Sequence, residues 1–208
     1  MSLEAVPSTA SRSNAARGDR VARTRDAIVS STHTLALGGE IAPIVRDIAK
    51  LAGVSARTVF QHFADTVELY MAVLGRVFSS VTADAPEINH QSPLAQRIGV
   101  VVDHRATRYE TVRPMWTFVQ TLQRRSAEAE DKMRELYSGS RGQLVDSFRP
   151  ELSALSDDKR ERTLNALSLT LSPEAWNTLR DRLALNPEQA KEEWRFVVGR
   201  IFDHEPRR

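Results

Sequence analysis

Apolar residues recur at helical spacing along most of the chain, and the pattern is clearest in residues 44–63, IVRDIAKLAGVSARTVFQHF. The first half of this stretch has apolar residues three or four positions apart, as one face of a helix requires. In the second half, Val59 and Phe63 are four positions apart and therefore point to the same side. Between the two halves, Gly53 can adopt the positive φ of a sharp turn, and Ser55 is a natural N-cap. The stretch predicts a helix-turn-helix.

Helices of the expected kind flank this motif. A first helix is predicted to begin near residues 21–24 and to end at the glycine pair 38–39. Pro43 is expected in the first turn of the second helix, where its missing N–H costs nothing. Asp65 and Glu68 have the spacing of a capping box, which predicts the start of a fourth, strongly apolar helix.

The rest of the chain is predicted to form further helices after an aperiodic linker at residues 82–92. A long charged helix is expected from about 127 to 148, and the last two helices at about 173–185 and 187–203. Three helix starts share one device, a capping side chain before a proline: Ser92-Pro93, Ser172-Pro173 and Asn186-Pro187. No segment reads as a strand, so the predicted fold class is all-α.

Composition and charge add a small number of restrictions. The chain has 208 residues and is 41% hydrophobic, enough for a sizeable core. Its formal net charge of +2 says little, but residues 1–25 hold a concentration of arginines. Residues 1–19 are polar, small and mildly basic, so we predict a flexible basic arm there.

Cysteine is absent, which rules out disulfides, thiolate metal sites and a cysteine nucleophile. No run approaches the roughly 18 consecutive apolar residues of a membrane span, and the N-terminus lacks the apolar core of a signal peptide. We therefore expect a cytoplasmic protein without a membrane partner.

The stretch VRDIAKLAGVSARTVFQHF, residues 45–63, resembles the DNA-reading signature of TetR-type bacterial transcription regulators. The likeness lies in D-I-A, A-G-V-S and the closing T-aliphatic-aromatic-x-H-F, and with the flanking helices it covers about Arg23 to Leu74. It implies an N-terminal three-helix DNA-binding domain at residues 20–66. It also implies a C-terminal helical domain at 67–208 that binds a small molecule and forms a homodimer through its last two helices.

The candidate reading residues lie on the second helix of the motif. Arg57 and Gln61 are four positions apart, and these side chains suit guanine and adenine edges respectively. Ala56 can meet a thymine methyl group. Thr58, His62 and Arg46 are the candidates for phosphate contacts, which set the register and carry no sequence information. A solvated helix face is the alternative interpretation. The full candidate DNA-binding set is Arg46, Ser55, Ala56, Arg57, Thr58, Phe60, Gln61, His62 and Thr66.

Two of these positions depart from the family pattern. The family usually has tyrosine at position 60, whose hydroxyl can reach a phosphate, and here the residue is Phe60. It usually has lysine at position 66, and Thr66 keeps a hydroxyl but loses the charge. Arginines of the N-terminal arm are candidates to replace these contacts.

Aromatic and sulfur-containing side chains between residues 98 and 148 are the candidate lining of the implied ligand pocket. Aromatic residues at helical spacing are also common in an ordinary core, and this alternative stays open for each of them. The candidates are Tyr109, Met115, Trp116, Phe118, Tyr137 and Phe148.

The last helix carries an apolar stripe that the chain offers little to cover. Large exposed apolar patches usually mark interfaces, so a second subunit is the expected cover. The stripe consists of Trp194, Val197, Val198, Ile201 and Phe202.

The predicted function is a ligand-responsive repressor that binds double-stranded DNA at a palindromic operator. An enzyme is the competing class, but no glycine-rich phosphate loop, HExxH or GxSxG occurs, and the five histidines have no metal-ligand spacing. We therefore expect no catalytic residues, no metal and no cofactor. Two alternatives remain: an ordinary helical protein with two core helices here, and a helical interaction or scaffold protein of the same fold without specific DNA binding.

Overall fold

The computed structural model describes residues 9–82 and 86–203, with side chains for residues 17–79 and 86–203. Regular structure within these ranges is entirely helical, which confirms the predicted all-α fold class. A 3₁₀ turn, Arg113–Met115, precedes α6, and a π-helical turn, Thr178–Arg182, follows α10. The helices are α1 (Thr9–Leu37), α2 (Val45–Ala52), α3 (Ala56–His62), α4 (Thr66–Thr82), α5 (Leu94–Val112), α6 (Trp116–Arg125), α7 (Ala127–Ser147), α8 (Arg149–Ser153), α9 (Asp157–Thr170), α10 (Pro173–Asn177) and α11 (Pro187–Asp203).

Helices α2 and α3 form the predicted helix-turn-helix. Gly53 ends α2 with φ of 68°, in the left-handed region that glycine adopts without steric cost. The Ser55 hydroxyl accepts a hydrogen bond of 3.0 Å from the amide of Thr58, as expected of an N-cap. Val59 and Phe63 are both buried, so the second helix is anchored as its spacing predicted.

The predicted start of the first helix is wrong. Helix α1 begins at Thr9, so residues 9–19, which we assigned to a flexible arm, are helical, and residues 1–8 lie outside the described part. This segment has no apolar face, which is why its pattern predicted no helix. Five of its eleven residues are good helix formers, three alanines and two arginines. Extending an already packed helix adds one hydrogen bond per residue without a new nucleation step.

The turn before α2 also differs from the prediction. Helix α2 begins at Val45 with Ile44 as its N-cap, so Pro43 lies before the helix and not in its first turn. The Pro43 carbonyl instead accepts a hydrogen bond of 2.6 Å from the Tyr70 hydroxyl of α4. A sequence pattern cannot show this contact, because the two residues are brought together only by tertiary packing.

The Asp65 half of the predicted capping box is confirmed, whereas Glu68 bonds to the amide one residue before the N-cap. The Asp65 carboxylate accepts from the amide of Glu68 at 2.8 Å. The Glu68 carboxylate accepts in return from the amide of Ala64 at 2.7 Å. Donors that a helix start leaves unpaired are thus satisfied by side chains.

Of the three predicted cap-and-proline starts, two are confirmed. Ser172 accepts from the amide of Ala175 at 3.1 Å, and Asn186 accepts from that of Gln189 at 3.0 Å. The start of α5 differs, since Pro93 itself is the N-cap and no side chain caps the helix.

The helix predicted at 173–185 is interrupted. Helix α10 passes into the π-helical turn, and Ala184 then takes a φ of 53°. The apolar positions of this segment gave no sign of the change in winding.

Two hydrophobic cores organise the molecule. The first joins α1 to α4 with α6 and the start of α7, and it includes Met115, Phe118 and Met133. The second joins α5 with the end of α7 and with α8 to α11. The first core therefore crosses the expected domain boundary at residues 66 and 67, and the helix-turn-helix is packed onto the helices beyond it.

The apolar stripe of the last helix is only partly exposed. Trp194 and Val198 are buried within this chain, because α11 packs against α5 and α9. The expectation that the whole stripe needs a partner is therefore wrong for these two residues. Phe196 and Val197 are exposed. None of the helices that the structure describes is long and apolar enough to cross a lipid bilayer.

Candidate functional site

The exposed side of α3 is the candidate nucleic-acid interface. Burial of Val59 and Phe63 in the first core leaves Ala56, Arg57 and Gln61 open to solvent, as a base-reading surface requires. Phe60 is also on the open side, with 54% of its surface exposed. An aromatic ring at this position is available to an apolar partner such as a thymine methyl group.

Three further candidates, Thr58, His62 and Thr66, are less exposed. Thr58 is half-buried, and its hydroxyl is 2.9 Å from that of Ser55, which also caps α3. His62 is half-buried at the end of the helix. Thr66, the first residue of α4, lies on a small cavity of about 30 Å³ that Phe118 of α6 also lines. Thr66 is therefore half-buried beside α6, whereas Arg57 is exposed to solvent.

Positive side chains are exposed on the elements around α3. The side chain of Arg46 on α2 is 82% exposed, and its Nε lies 3.1 Å from the Asp47 carboxylate of the same helix. Lys50 of α2 is exposed as well. Arg17, Arg20 and Arg23 are exposed on α1. These cations are available for phosphate contacts, which position a protein on DNA.

Arg25 was not among the predicted residues, yet it holds α3 in place. Its guanidinium lies 4.4 Å from the centre of the Phe63 ring, and 3.8 Å from the Glu68 carboxylate. The contact is a cation–π interaction that joins α1 to the end of α3. No sequence spacing signals it, because the residues are far apart in the chain.

The candidate ligand site is a cavity of about 170 Å³ between α5, α7 and the start of α10. Tyr109 and Tyr137 both line it. An adjoining cavity of about 280 Å³ shares these tyrosines together with Ser140 and Pro173.

The structure does not bring the other four candidates to this place. Met115 and Phe118 are buried in the first core, and Trp116 is partly buried against it. Phe148 is buried in the second core, with its ring centre 5.1 Å from that of Phe202. These four side chains fit the alternative interpretation, that of an ordinary hydrophobic core, because their apolar surface is used in packing α6, α7 and α11.

Both tyrosine hydroxyls at the cavity have protein partners. Tyr109 donates to the Leu171 carbonyl at 3.2 Å, and Tyr137 donates to the Glu174 carboxylate. Burial, and secondly the hydrogen bond to Glu174, raise the pKa of Tyr137 well above its usual value. The Tyr137 phenol therefore remains a neutral hydrogen-bond donor at ordinary pH.

The cavity is also lined by His104, Arg105 and Arg108, which sequence analysis missed as ligand candidates. A signal for Arg105 was present. It falls on the buried stripe of α5 that Val101 and Tyr109 also occupy, and a charged residue within an apolar stripe is unusual. Within the described part of the chain, no histidine, aspartate and glutamate side chains gather in a metal-binding cluster.

A third exposed feature lies at the far end of the molecule, on α9 and α11. Leu169 is 75% exposed and Phe196 is 64% exposed. A shallow groove of about 450 Å³ is lined by Leu169, Leu179 and Val197. An apolar surface of this kind is typical of a protein interface.

Solved structures share this architecture. A transcriptional regulator from Rhodococcus sp. Rha1 has a TM-score of 0.68 at 16% identity, over 86% of this chain and 96% of that chain. A TetR-family transcriptional regulator from Streptomyces coelicolor has a TM-score of 0.64 at 17% identity, over 88% and 90%. MexZ, a repressor responsible for antibiotic resistance in Pseudomonas aeruginosa, has a TM-score of 0.60 at 19% identity, over 86% and 94%.

These likenesses show that the chain has the fold of TetR-family transcriptional regulators. No family model matches the sequence, and no curated protein matches it.

Proposed function

We propose that this chain is a DNA-binding transcription regulator, a repressor that binds a palindromic operator as a homodimer and releases it when a small molecule binds. The observation that carries this proposal is the construction of α3. Its apolar side is anchored by Val59 and Phe63, while Arg57 and Gln61 face solvent. The fold shared with MexZ, a repressor, supports the same conclusion.

The chemistry of α3 fits the major groove. Arginine can form two hydrogen bonds to a guanine edge, and glutamine two to an adenine edge. The exposed Arg46 and Lys50 on α2, with the arginines of α1, supply positive charge for the DNA backbone. Contacts of both kinds are needed for a protein that reads sequence at a fixed register.

The homodimer rests on the exposed apolar residues Leu169, Phe196 and Val197. Two copies joined by a twofold axis present two copies of α3, so their half-sites are related by the same axis. A palindromic operator follows from this symmetry.

Ligand response rests on the position of the cavity. Helix α7 lines the cavity and also contributes Met133 to the first core, which holds the helix-turn-helix. A ligand that changes the position of α7 thus acts on elements packed against α4. Because the coupling is reciprocal, DNA weakens ligand binding by the factor by which ligand weakens DNA binding.

The test is a selection of bound sequences from a random duplex library, followed by gel-shift titration of the enriched sequence. We expect an inverted repeat, and a selected duplex that binds on the order of 10³-fold or more tighter than random DNA at physiological salt. Uniform weak binding to every duplex would favour the competing scaffold function, which Phe60 and Thr66 suggest because they lack the usual phosphate-binding groups.

A further inference from the structure

Two arginines of α5 are buried, although the side chain is always charged. Arg97 is 4% exposed and Arg105 is 5% exposed, and they lie eight residues apart on the same side of the helix. A buried charge is costly unless an opposite charge or strong hydrogen bonds compensate it. The partners of these two guanidinium groups therefore show whether the charge of each is compensated within the protein.

Arg97 is paired with an opposite charge. Both of its terminal nitrogens donate to the two carboxylate oxygens of Glu151, one of them at 2.8 Å. Its remaining bonds go to the carbonyls of Ser92 and Ser147. This is a compensated ion pair that joins the start of α5 to α7 and α8.

Arg105 has no such counter-charge. It donates to the carbonyls of Leu171 and Ser140, each at 2.8 Å. Among the residues whose side chains the structure describes, no carboxylate is paired with it. These two bonds use two of its five N–H groups, and both partners are neutral.

Arg105 also lines the cavity of about 170 Å³, and Arg97 does not. The same wall carries Tyr109, Leu136 and Pro173, which supply flat or apolar surface. The cavity therefore combines a buried cation with walls suited to an aromatic or aliphatic body, as in most small-molecule sites.

We propose that this cavity binds an organic anion, an aromatic carboxylate whose carboxylate group pairs with Arg105. The ligand supplies the counter-charge that Glu151 supplies to Arg97. A guanidinium can hold a carboxylate through two parallel hydrogen bonds, and such charge-assisted bonds are about twice as strong as neutral ones. This inference deepens the proposed function, since it names the chemical class of the effector.

The other charged groups at the cavity agree with this assignment. Arg108 and His104 also line it, and each has an interaction of its own within the protein. Glu135 is the carboxylate on its wall, but its side chain is 68% exposed and pairs with Lys132 at 2.8 Å. Glu174 accepts the hydroxyl of Tyr137. Neither carboxylate is bonded to Arg105, which donates only to carbonyls.

The first test uses the unaltered full chain and pairs of isosteric probes. Calorimetry would compare benzoate, 2-naphthoate and 4-phenylbenzoate with their neutral carboxamides. We expect at least one carboxylate to bind on the order of 10- to 100-fold tighter than its amide, because the amide lacks the charge that Arg105 requires. Equal affinities, tighter amides, or no binding by any carboxylate would overturn the proposal.

Two substitutions then locate the anion. Arg105→Met should bring the carboxylate-to-amide affinity ratio close to one. Arg97→Met is the matched control, since it removes an equally buried arginine of the same helix that is not on the cavity, and the ratio should be unchanged. The readout is the ratio of two affinities measured on the same variant, so a loss of stability does not imitate the effect. Arg105→Lys keeps the positive charge and should retain part of the preference for carboxylates. An Arg105→Met variant that keeps the full preference would place the anion elsewhere.

DNA binding is measured separately, by fluorescence anisotropy of the selected duplex without any ligand. Specific DNA binding without a preference for carboxylates would overturn the ligand class and leave the regulator intact. Binding of carboxylates without specific DNA binding would leave the anion site standing and overturn the proposed regulator.

Discussion

Phe63 shows how contacts of single residues fix the position of α3. Its ring is buried in the first core, and the Arg25 guanidinium lies over one face of the ring. Arg25 also lies within ion-pair distance of Glu68, which caps α4. One arginine thus joins α1, α3 and α4 at the same point.

Arg57 is the residue on which sequence discrimination depends in the proposed function. Replacing it by alanine should cost about 1–3 kcal/mol of discrimination at one base pair of each half-site. Binding to random DNA should change little, because the lost contact is with a base. Competition gel shifts with single-base variants of the selected duplex measure both quantities.

The matched control is Arg162→Ala, an exposed arginine of α9 that lies outside the helix-turn-helix. It should alter neither specific nor random binding. If Arg57→Ala weakens both kinds of DNA equally, Arg57 contacts a phosphate and the base assignment is wrong.

At the scale of helices, the sequence predicted correctly the features that depend on contacts between neighbouring residues. The helix-turn-helix was predictable because Gly53, Ser55 and the Asp65–Glu68 pair each act on neighbours within a few residues. Failures occurred where distant parts of the chain decide the outcome. The place of Pro43 depends on Tyr70, and the start of α1 depends on helix propagation without an apolar face.

Two glycines allow the contribution of the turn to be measured. An added Cβ would meet nothing within 4 Å at either Gly53 or Gly75, so packing does not distinguish the two positions. Gly53→Ala should destabilise the protein by about 1 kcal/mol, because its φ of 68° is unfavourable for alanine. Gly75→Ala, in the middle of α4, should stabilise it by up to about 1 kcal/mol, because alanine is the better helix former.

Urea unfolding of both variants at neutral pH gives the two free-energy changes. Changes of the same sign would show that the φ at Gly53 does not govern the effect of the substitution.

The helical extension of α1 changes what its arginines can do. A flexible arm could follow the DNA backbone, whereas arginines on a helix reach DNA only from the side that faces it. Deleting residues 1–19 removes Arg12 and Arg17 from each protomer. The slope of log affinity against log salt should become shallower by about one to two units, since each phosphate contact contributes about 0.9.

The control is deletion of residues 1–8, which contain no lysine or arginine and precede α1. That protein should keep the salt slope of the full chain. An identical slope for both deletions would mean that the N-terminal part of α1 does not contact DNA.

For the whole molecule, the sequence was more informative about α3 than about the cavity and the last helix. The candidate base-reading residues lie on one short helix, so spacing alone groups them on its exposed side. The cavity is assembled from α5, α7 and α10, and spacing cannot show that Tyr109 and Tyr137 meet there while Phe148 packs in the core. The prediction that a partner covers the whole apolar stripe of α11 was wrong for the same reason, because α5 and α9 cover Trp194 and Val198.

Assembly is therefore best tested on residues that the chain itself leaves open. The double substitution Leu169→Glu with Phe196→Glu places charges on the exposed apolar surface of α9 and α11. We expect sedimentation to show a shift from dimer to monomer, with a large loss of affinity for the selected duplex because single half-sites bind weakly.

Val145→Glu on α7 is the control, since Val145 is exposed but belongs to neither α9 nor α11. It should leave both the dimer and DNA binding unchanged. An unaltered chain that sediments as a monomer at micromolar concentration would contradict the proposed assembly. Val198 is unsuitable for this test, because it is buried and its replacement by glutamate would disturb the second core.

The first core has a consequence for how such a protein can change over generations. Met115, Phe118 and Met133 pack in the same core as Ile48 and Val59. A substitution that enlarges a side chain on α6 must therefore be matched on α4 or within the helix-turn-helix, since cores tolerate little change in volume. In the proposed function, the unit that carries DNA specificity is accordingly larger than residues 20–66. A recombination event that joined residues 20–66 to another C-terminal domain would have to bring α4, α6 and the start of α7 along with them.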